Sequence, residues 1–161
     1  MKMSGGPASI NLKLFLLFIA LAIAAGTLYY TQTLVQKLHQ RERSIVELYA
    51  KGFEYIANSD SPDADLTFLF DNIIKPIDFP IILTDKDNNF NPESNTEIKN
   101  VNIDSSLSKE ERKKALTELI LEMDAIHKPI NITYADTIIL QRIHFGESNL
   151  VKQLKFYPYI Q

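Results

Sequence analysis

The sequence predicts an α+β protein: an N-terminal transmembrane helix continues into a long helix and then into a small domain with an antiparallel sheet flanked by helices. Three observations predict this architecture. The run Leu14–Gln36 carries no charged residue. Helical spacing then continues without proline to about Asn58. Beyond that point, helix signals alternate with short β-branched runs, an order typical of α+β domains.

Composition limits the number of domains and the classes of partner. The chain has 161 residues, a net charge of −3 and no cysteine. We assign a short tail to 1–13, the transmembrane helix to 14–35, the connecting helix to 36–58 and one domain to 59–161. About 125 residues follow the membrane segment, which is enough for one domain. A mildly acidic chain has no basic footprint, so we expect no nucleic-acid partner.

The apolar run is long enough for a membrane anchor. Leu14–Tyr30 is almost wholly apolar, and a spanning helix needs about 20 such residues, whereas the core of a signal peptide has about 7–15. Tyr29 and Tyr30 lie where aromatic side chains would meet lipid headgroups. The alternative is a cleaved signal peptide, because Ala20-Leu-Ala22 resembles a cleavage site. We expect the lipid bilayer to be a partner of this segment.

Charges do not decide the orientation of the anchor. Basic residues flank the run on both sides, with Lys2 and Lys13 before it and Lys37, Arg41 and Arg43 after it. Long domains cross membranes largely regardless of such charges.

The connecting helix carries a stripe of apolar residues at three-, four- or seven-residue spacing, interrupted by Arg41. These residues are Leu34, Leu38, Ile45, Leu48, Tyr55 and Ile56. Such a stripe either pairs with a second copy of the helix or packs on its own domain. Both interpretations stay open at this point.

The first half of the domain predicts a helix, a strand and a turn. Ser61 is an N-cap with Pro62 at the first helical position, and Pro76 ends this helix. Its buried face consists of Leu66, Leu69, Phe70, Ile73 and Ile74. Phe79–Thr84 is rich in β-branched residues and predicts a strand, which Asp85–Asn89 turns into a hairpin. The polar stretch 91–104 predicts a loop.

The second half opens on a capping box, Ser108-Lys-Glu-Glu111, which predicts a helix that stops before Pro129. Its apolar face is Leu116, Leu119, Ile120, Met123 and Ile126. Two strands are predicted within Ile130–Phe145, with a turn at Ala135-Asp136. Gly146 ends the second strand, and Ser148 caps a last helix that carries Leu150, Val151 and Leu154.

No set of residues predicts a catalytic, cofactor or metal site. His39, His127 and His144 belong to three separate elements, and no pair has the spacing of a metal site. Asp85–Asn89 begins like a calcium loop, but Phe90 and Thr96 stand where glycine and glutamate are required. No nucleophile and base can be paired, so we expect no enzyme. The sequence predicts neither a cofactor nor a phosphate-binding loop.

Two segments resemble a known family. Ile73–Asp87 resembles the first strand of a PAS-like sensor domain, where an apolar strand ends in Thr-Asp and a charged turn. Ile143–Ser148, followed by Leu150–Gln161, resembles the end of the sensor region in membrane sensor histidine kinases of the Bacteroidetes. In that family the segment leads into a second membrane helix and then the phosphoacceptor and ATP-binding domains. The resemblance extends from the anchor to the last residue.

The chain departs from the family in three ways. Asn88-Asn89 stands where the family's turn usually carries glycine, and asparagine tolerates the left-handed conformation. The segment Leu38–Arg43 lacks the proline-containing phosphoacceptor box around His39. The sequence also stops before the second membrane helix, so no catalytic residue can be assigned by resemblance.

The resemblance implies the signal-input module of a two-component histidine kinase. It implies a single-pass protein of the bacterial inner membrane, a periplasmic PAS-like domain, a homodimer, and an unidentified small ligand or partner protein. The alternative function is a stand-alone, membrane-tethered structural or adaptor protein that binds no ligand.

Overall fold

The computed structural model describes residues 7–58, 75–94, 97–135 and 137–156. Within these ranges the helices are α1 (Pro7–Ala57), α2 (Lys109–Ile126) and α3 (Asn149–Phe156). The strands are β1 (Ile81–Asp85), β2 (Ile98–Lys99), β3 (Ile130–Tyr134) and β4 (Ile138–Phe145). The α+β class is therefore confirmed. The helix predicted from Ser61, with its face Leu66–Ile74, lies outside the described residues.

Helix α1 is a single helix of 51 residues, and it ends one residue before the predicted end of the connecting helix. Its N-terminal half exposes its large apolar side chains; Phe18, for example, is 71% exposed. Within the described residues, α1 is the one helix long and apolar enough to cross a membrane. Because residues 10–26 are exposed in the described part of the structure, this half suits contact with lipid rather than with the protein core.

The C-terminal half of α1 packs on the domain with a face that the sequence analysis did not name. Val46, Tyr49 and Ala50 are buried there. In the predicted stripe, Leu48 is 55% and Tyr55 is 68% exposed. Positions 46 and 48 lie about 160° apart around a helix of 3.6 residues per turn, so Leu48 points away from the core face, whereas Ile45 of the same stripe is half-buried and packs on the core.

The four strands form an antiparallel sheet in the order β2-β1-β4-β3. Side chains alternate between its two faces. Ile81 and Leu83 join the core cluster on the α1 side, whereas Ile82 joins Leu116 and Met123 of α2 on the other side. The sheet therefore lies between α1 and α2. Strand β2 falls within the stretch predicted as a loop, and that part of the prediction was wrong.

Local signals account for how α2 begins. The Ser108 side chain accepts a hydrogen bond from the backbone N–H of Glu111, and the Glu111 carboxylate accepts one from the backbone N–H of Ser108. The predicted capping box is therefore present. His127 caps the C-terminal end, where its backbone N–H donates to the Met123 carbonyl.

Two predicted turns are also present. The Asp85 carboxylate accepts 2.8 Å hydrogen bonds from the backbone N–H groups of Asp87 and Asn89. Asn88 has φ 62°, the left-handed conformation that asparagine tolerates. Ala135 (φ 49°) lies in the tight turn between β3 and β4.

Gly146 brings the end of β4 close to the segment that precedes β1. Its N–H donates to the Pro80 carbonyl at 3.0 Å. A Cβ atom at position 146 would lie 2.9 Å from Pro80 Cγ, so glycine is required by space rather than by φ. This close approach fixes the direction in which the chain leaves β4 toward α3.

Candidate functional site

The candidate site lies where α1 meets the segments that follow α2 and β4. His39 and Glu42 are three residues apart on α1, and this spacing puts both side chains on one face of the helix. That face meets His127, just after α2, and Glu147 and Ser148, just before α3. The site thus assembles from three parts of the chain that are distant in sequence.

Two of the three histidines are in direct contact. The ring centroids of His39 and His127 lie 4.9 Å apart in an edge-to-face arrangement. Phe145 also contacts this pair: its ring stacks on that of His127, and the two ring centroids lie 4.6 Å apart. Burial lowers the pKa of His127, and the neighbouring His39 lowers it further. Both effects favour the neutral imidazole, which is the form that binds metals.

Glu42 is a buried carboxylate with one satisfied oxygen. The residue is 5% exposed. Its Oε1 accepts a 3.0 Å hydrogen bond from the backbone N–H of Ser148. Its Oε2 has no hydrogen-bond partner among the residues that the structure describes. A buried carboxylate oxygen without a donor is energetically costly, so this atom requires an explanation.

Glu147 supplies a second buried carboxylate beside the histidines. Its Oε1 lies 2.6 Å from His39 Nε2, which is a direct polar contact. The same oxygen accepts a hydrogen bond from Lys155 Nζ. Burial acts to raise the pKa of Glu147, but the contacts with Lys155 and His39 outweigh it, and the pKa is lowered. Glu147 is therefore held as an anion.

The donor atoms of His39, Glu42 and His127 lie within 4.8 Å of one another. Glu42 Oε2 and His127 Nε2 are buried and lack hydrogen-bond partners in the described part of the chain, whereas His39 Nε2 is in contact with Glu147 Oε1. We call these three residues the His–Glu–His cluster. Two imidazoles and a carboxylate form a donor set that could hold a cation.

The cluster borders an open groove between α1 and α3, with a volume of about 520 Å³. The groove is lined by Leu28, Thr31, Gln32, Val35, Gln36, His39, Lys155 and Phe156. His39 belongs to both the groove and the cluster. The groove also brings the C-terminal end of α3 next to the apolar half of α1.

His144 belongs to a different arrangement. Its Nε2 lies 3.1 Å from Thr84 Oγ1, and its Nδ1 lies 2.7 Å from Asp124 Oδ1. The order hydroxyl, imidazole, carboxylate is that of a hydrolase triad. Thr84 and His144 are only 2% and 1% exposed, however, so no substrate can reach the hydroxyl. We interpret this chain of contacts as structural.

The three histidines belong to three separate elements, as the sequence predicts, and the fold brings two of them, His39 and His127, into contact. The contact joins residues of two elements, which spacing along the chain cannot reveal. The signal that was present is local: His39-Gln-Arg-Glu42 places two metal-type ligands on one helix face. The roles of Glu42 and Glu147 were missed. At Asp85 the hairpin interpretation holds, because the carboxylate caps its own turn.

No protein-family model, curated protein or solved structure matches this chain.

Proposed function

We propose that the chain is a membrane-anchored signal-input module. In this proposal the exposed apolar half of α1 spans the bacterial inner membrane, and the domain is a PAS-like sensor on the periplasmic side. The resemblance to the sensor region of membrane histidine kinases suggests the type of output. A ligand or partner that changes the conformation of the domain would change the position of α1 in the membrane.

The observation that carries the proposal is the continuity of α1. One unbroken helix runs from the apolar half to Val46 and Tyr49, which are buried in the domain core. A helix rises about 1.5 Å per residue, so the 51 residues form a rod about 75 Å long. Because no loop separates the two halves, a rotation or shift of the domain on this helix is transmitted directly to the membrane segment.

A second observation supports the same function. The last helix, α3, lies against α1, and Lys155 and Phe156 line a groove together with Leu28 and Thr31 of the apolar half. The end of the described chain is therefore directed toward the membrane end of α1. This direction suits an input module whose two ends both connect to the membrane, as in the kinases that the sequence resembles.

The exposed part of the stripe on α1 supports a homodimer. Leu48 and Tyr55 stay exposed after the domain has folded against the neighbouring face. Single cysteines at Leu34, Leu38 and Leu48 should crosslink readily in membranes, because only one stripe of a helix can face its copy. Cysteines at Gln40 and Glu47, on the opposite side, are the matched controls. The chain has no cysteine of its own, so each crosslink has a single origin.

The decisive experiment uses the chain as the input region of a chimeric histidine kinase with a transcriptional reporter. One to four alanines are inserted after Lys37, between the apolar half and the domain. Each residue rotates the domain by about 100° relative to the membrane segment. We expect output that varies with the number of inserted residues and returns toward the starting level at four.

The control inserts the same residues at the exposed turn of Ser105 and Ser106, outside α1. If the reporter output does not change with the number of residues inserted in α1, the signalling proposal is overturned. If the crosslinking is also uniform along α1, the adaptor function becomes the better description.

A further inference from the structure

We propose that His39, Glu42 and His127 bind a single divalent transition-metal ion of the zinc type. This site lies in the C-terminal half of α1, where it faces the segment that leads into α3. The inference depends on the geometry of the cluster alone. It stands or falls independently of the signalling function.

The first argument is the coincidence of unsatisfied atoms. Two buried ligand atoms, Glu42 Oε2 and His127 Nε2, lack hydrogen-bond partners within the described ranges, whereas His39 Nε2 lies 2.6 Å from Glu147 Oε1. All three residues also belong to one group whose ligand atoms lie within 4.8 Å of one another. Native proteins rarely leave buried polar atoms unpaired, and a bound ion is a standard explanation when they do. One cation would satisfy both atoms at once, with His39 as the third ligand.

The second argument is distance. Zinc binds imidazole nitrogen and carboxylate oxygen at about 2.0–2.2 Å, so tetrahedral ligand atoms lie about 3.3–3.6 Å apart. The cluster needs to contract by roughly 1 Å to reach this geometry. His39 lies on a helix and is partly exposed toward the groove. It can supply this movement by a side-chain rotation that leaves the backbone in place.

The third argument is the nature of the donors and their support. Two imidazoles and one carboxylate suit Zn²⁺ and related transition metals, whereas Mg²⁺ and Ca²⁺ prefer oxygen ligands throughout. Metal ligands are commonly held in position by outer contacts. Here the Ser148 N–H holds Glu42 Oε1 at 3.0 Å, and Phe145 stacks on His127. These contacts fix the orientations of the Glu42 carboxylate and the His127 ring.

Glu147 and Lys155 determine how tightly the ion is held. Three protein ligands leave a fourth position for water, and an ion bound at His39 Nε2 would replace the 2.6 Å contact of this atom with Glu147 Oε1. Lys155 competes for that oxygen and adds a positive charge close to the site. Replacement of Lys155 by methionine keeps most of the side chain and removes the charge. We expect this variant to bind the metal more tightly, by about tenfold.

The test uses the full chain in detergent, purified without a histidine tag and stripped with a chelator. Zn²⁺ is titrated by calorimetry, and Co²⁺ is titrated by its visible absorption, which reports coordination by nitrogen ligands. We expect one ion per chain. The variants His39→Gln, His127→Gln and Glu42→Gln should each weaken binding by at least about tenfold. Glu47→Gln, an exposed glutamate on the same helix, is the matched control and should bind like the parent.

Glu42→Gln is informative because its amide oxygen can still accept the Ser148 N–H. Circular dichroism and unfolding midpoints in chelator will establish that each variant is folded. In the parent protein, Zn²⁺ should raise the unfolding midpoint, and in Glu42→Gln it should not. The proposal is overturned by the lack of saturable binding up to about 1 mM Zn²⁺. It is equally overturned if the folded cluster variants bind as tightly as Glu47→Gln.

Discussion

The Glu42 carboxylate of α1 accepts a 3.0 Å hydrogen bond from the backbone N–H of Ser148, although 106 residues separate the two in sequence. Ser148 is also the residue whose side chain accepts from the Val151 N–H in the first turn of α3. The start of α3 is thus fixed to α1 by one buried contact. Any change at Glu42 should be felt by both helices.

Glu42→Ala should destabilise the domain by about 1.5–3 kcal/mol, because the substitution removes a charged acceptor and leaves a buried N–H unsatisfied. Glu42→Gln should cost less, since its amide oxygen can replace Oε1. Denaturant unfolding in the presence of a chelator measures both values without any contribution from metal. Glu47→Ala, at an exposed position on the same helix, is the control. Equal stabilities of Glu42→Ala and Glu47→Ala would show that the Ser148 contact contributes nothing.

The buried contact between Thr84 and His144 gives a second prediction. Thr84→Val preserves the shape of the side chain and removes the oxygen that lies 3.1 Å from His144 Nε2. We expect a loss of about 1–3 kcal/mol, because a buried imidazole nitrogen loses its partner. His144→Phe removes the imidazole altogether. Asp124, which is 30% exposed, can then turn to water.

A double-mutant cycle separates this contact from the other effects of each substitution. The double variant Thr84→Val/His144→Phe should be less destabilised than the sum of the single variants, by at least about 0.5 kcal/mol. Both are compared with Thr117→Val, an exposed threonine of α2. Strict additivity of the two single effects would contradict a direct interaction between Thr84 and His144.

Local signals predicted much of the fold. Ser108 and Glu111 are three residues apart and satisfy each other's backbone, so the start of α2 could be predicted without tertiary information. The same holds for the turn at Ala135. Strand β2 could not be predicted, because Ile98–Lys99 is too short for a periodic pattern and forms only by pairing with β1.

The candidate site depends on contacts that no local pattern encodes. Val46 and Tyr49 face the sheet because the domain folds onto that side of α1, although the apolar stripe at Leu48 and Tyr55 gave the more regular pattern. In the same way, His39 meets His127 because the segment that follows α2 packs against α1. Tertiary packing, rather than spacing, brings these residues together.

The capping box provides the prediction that rests most directly on the sequence. Ser108→Ala should destabilise the domain by about 0.5–2 kcal/mol, because the Glu111 N–H loses its acceptor at the start of α2. Ser105→Ala, at an exposed turn position just before the helix, is the matched control. Thermal or denaturant unfolding compares the two. Indistinguishable midpoints would mean that the cap does not stabilise α2.

The last prediction concerns alkaline pH. Tyr49 is 4% exposed in the core between α1 and the sheet, and burial raises the pKa of its hydroxyl from 10 to about 12. The folded protein therefore resists ionisation, whereas the unfolded chain loses this proton near pH 10. Above that pH, deprotonation stabilises the unfolded state. The stability that the buried, protonated Tyr49 contributes is fully present below pH 10 and is lost as the pH rises through about 12.

Two pKa units correspond to about 2–3 kcal/mol of unfolding free energy, lost progressively between pH 10 and pH 12. Denaturant unfolding of the full chain at pH 9 and pH 11.5 measures the loss. Tyr49→Phe keeps the ring, which packs edge-to-face on Phe53 at 4.8 Å, and removes the ionisable hydroxyl. This variant should lose clearly less stability over the same interval. Tyr55→Phe, at an exposed position of the same helix, should behave like the parent, because its hydroxyl is in water in both states. If the parent and Tyr49→Phe lose the same stability, the alkaline transition arises from groups other than Tyr49.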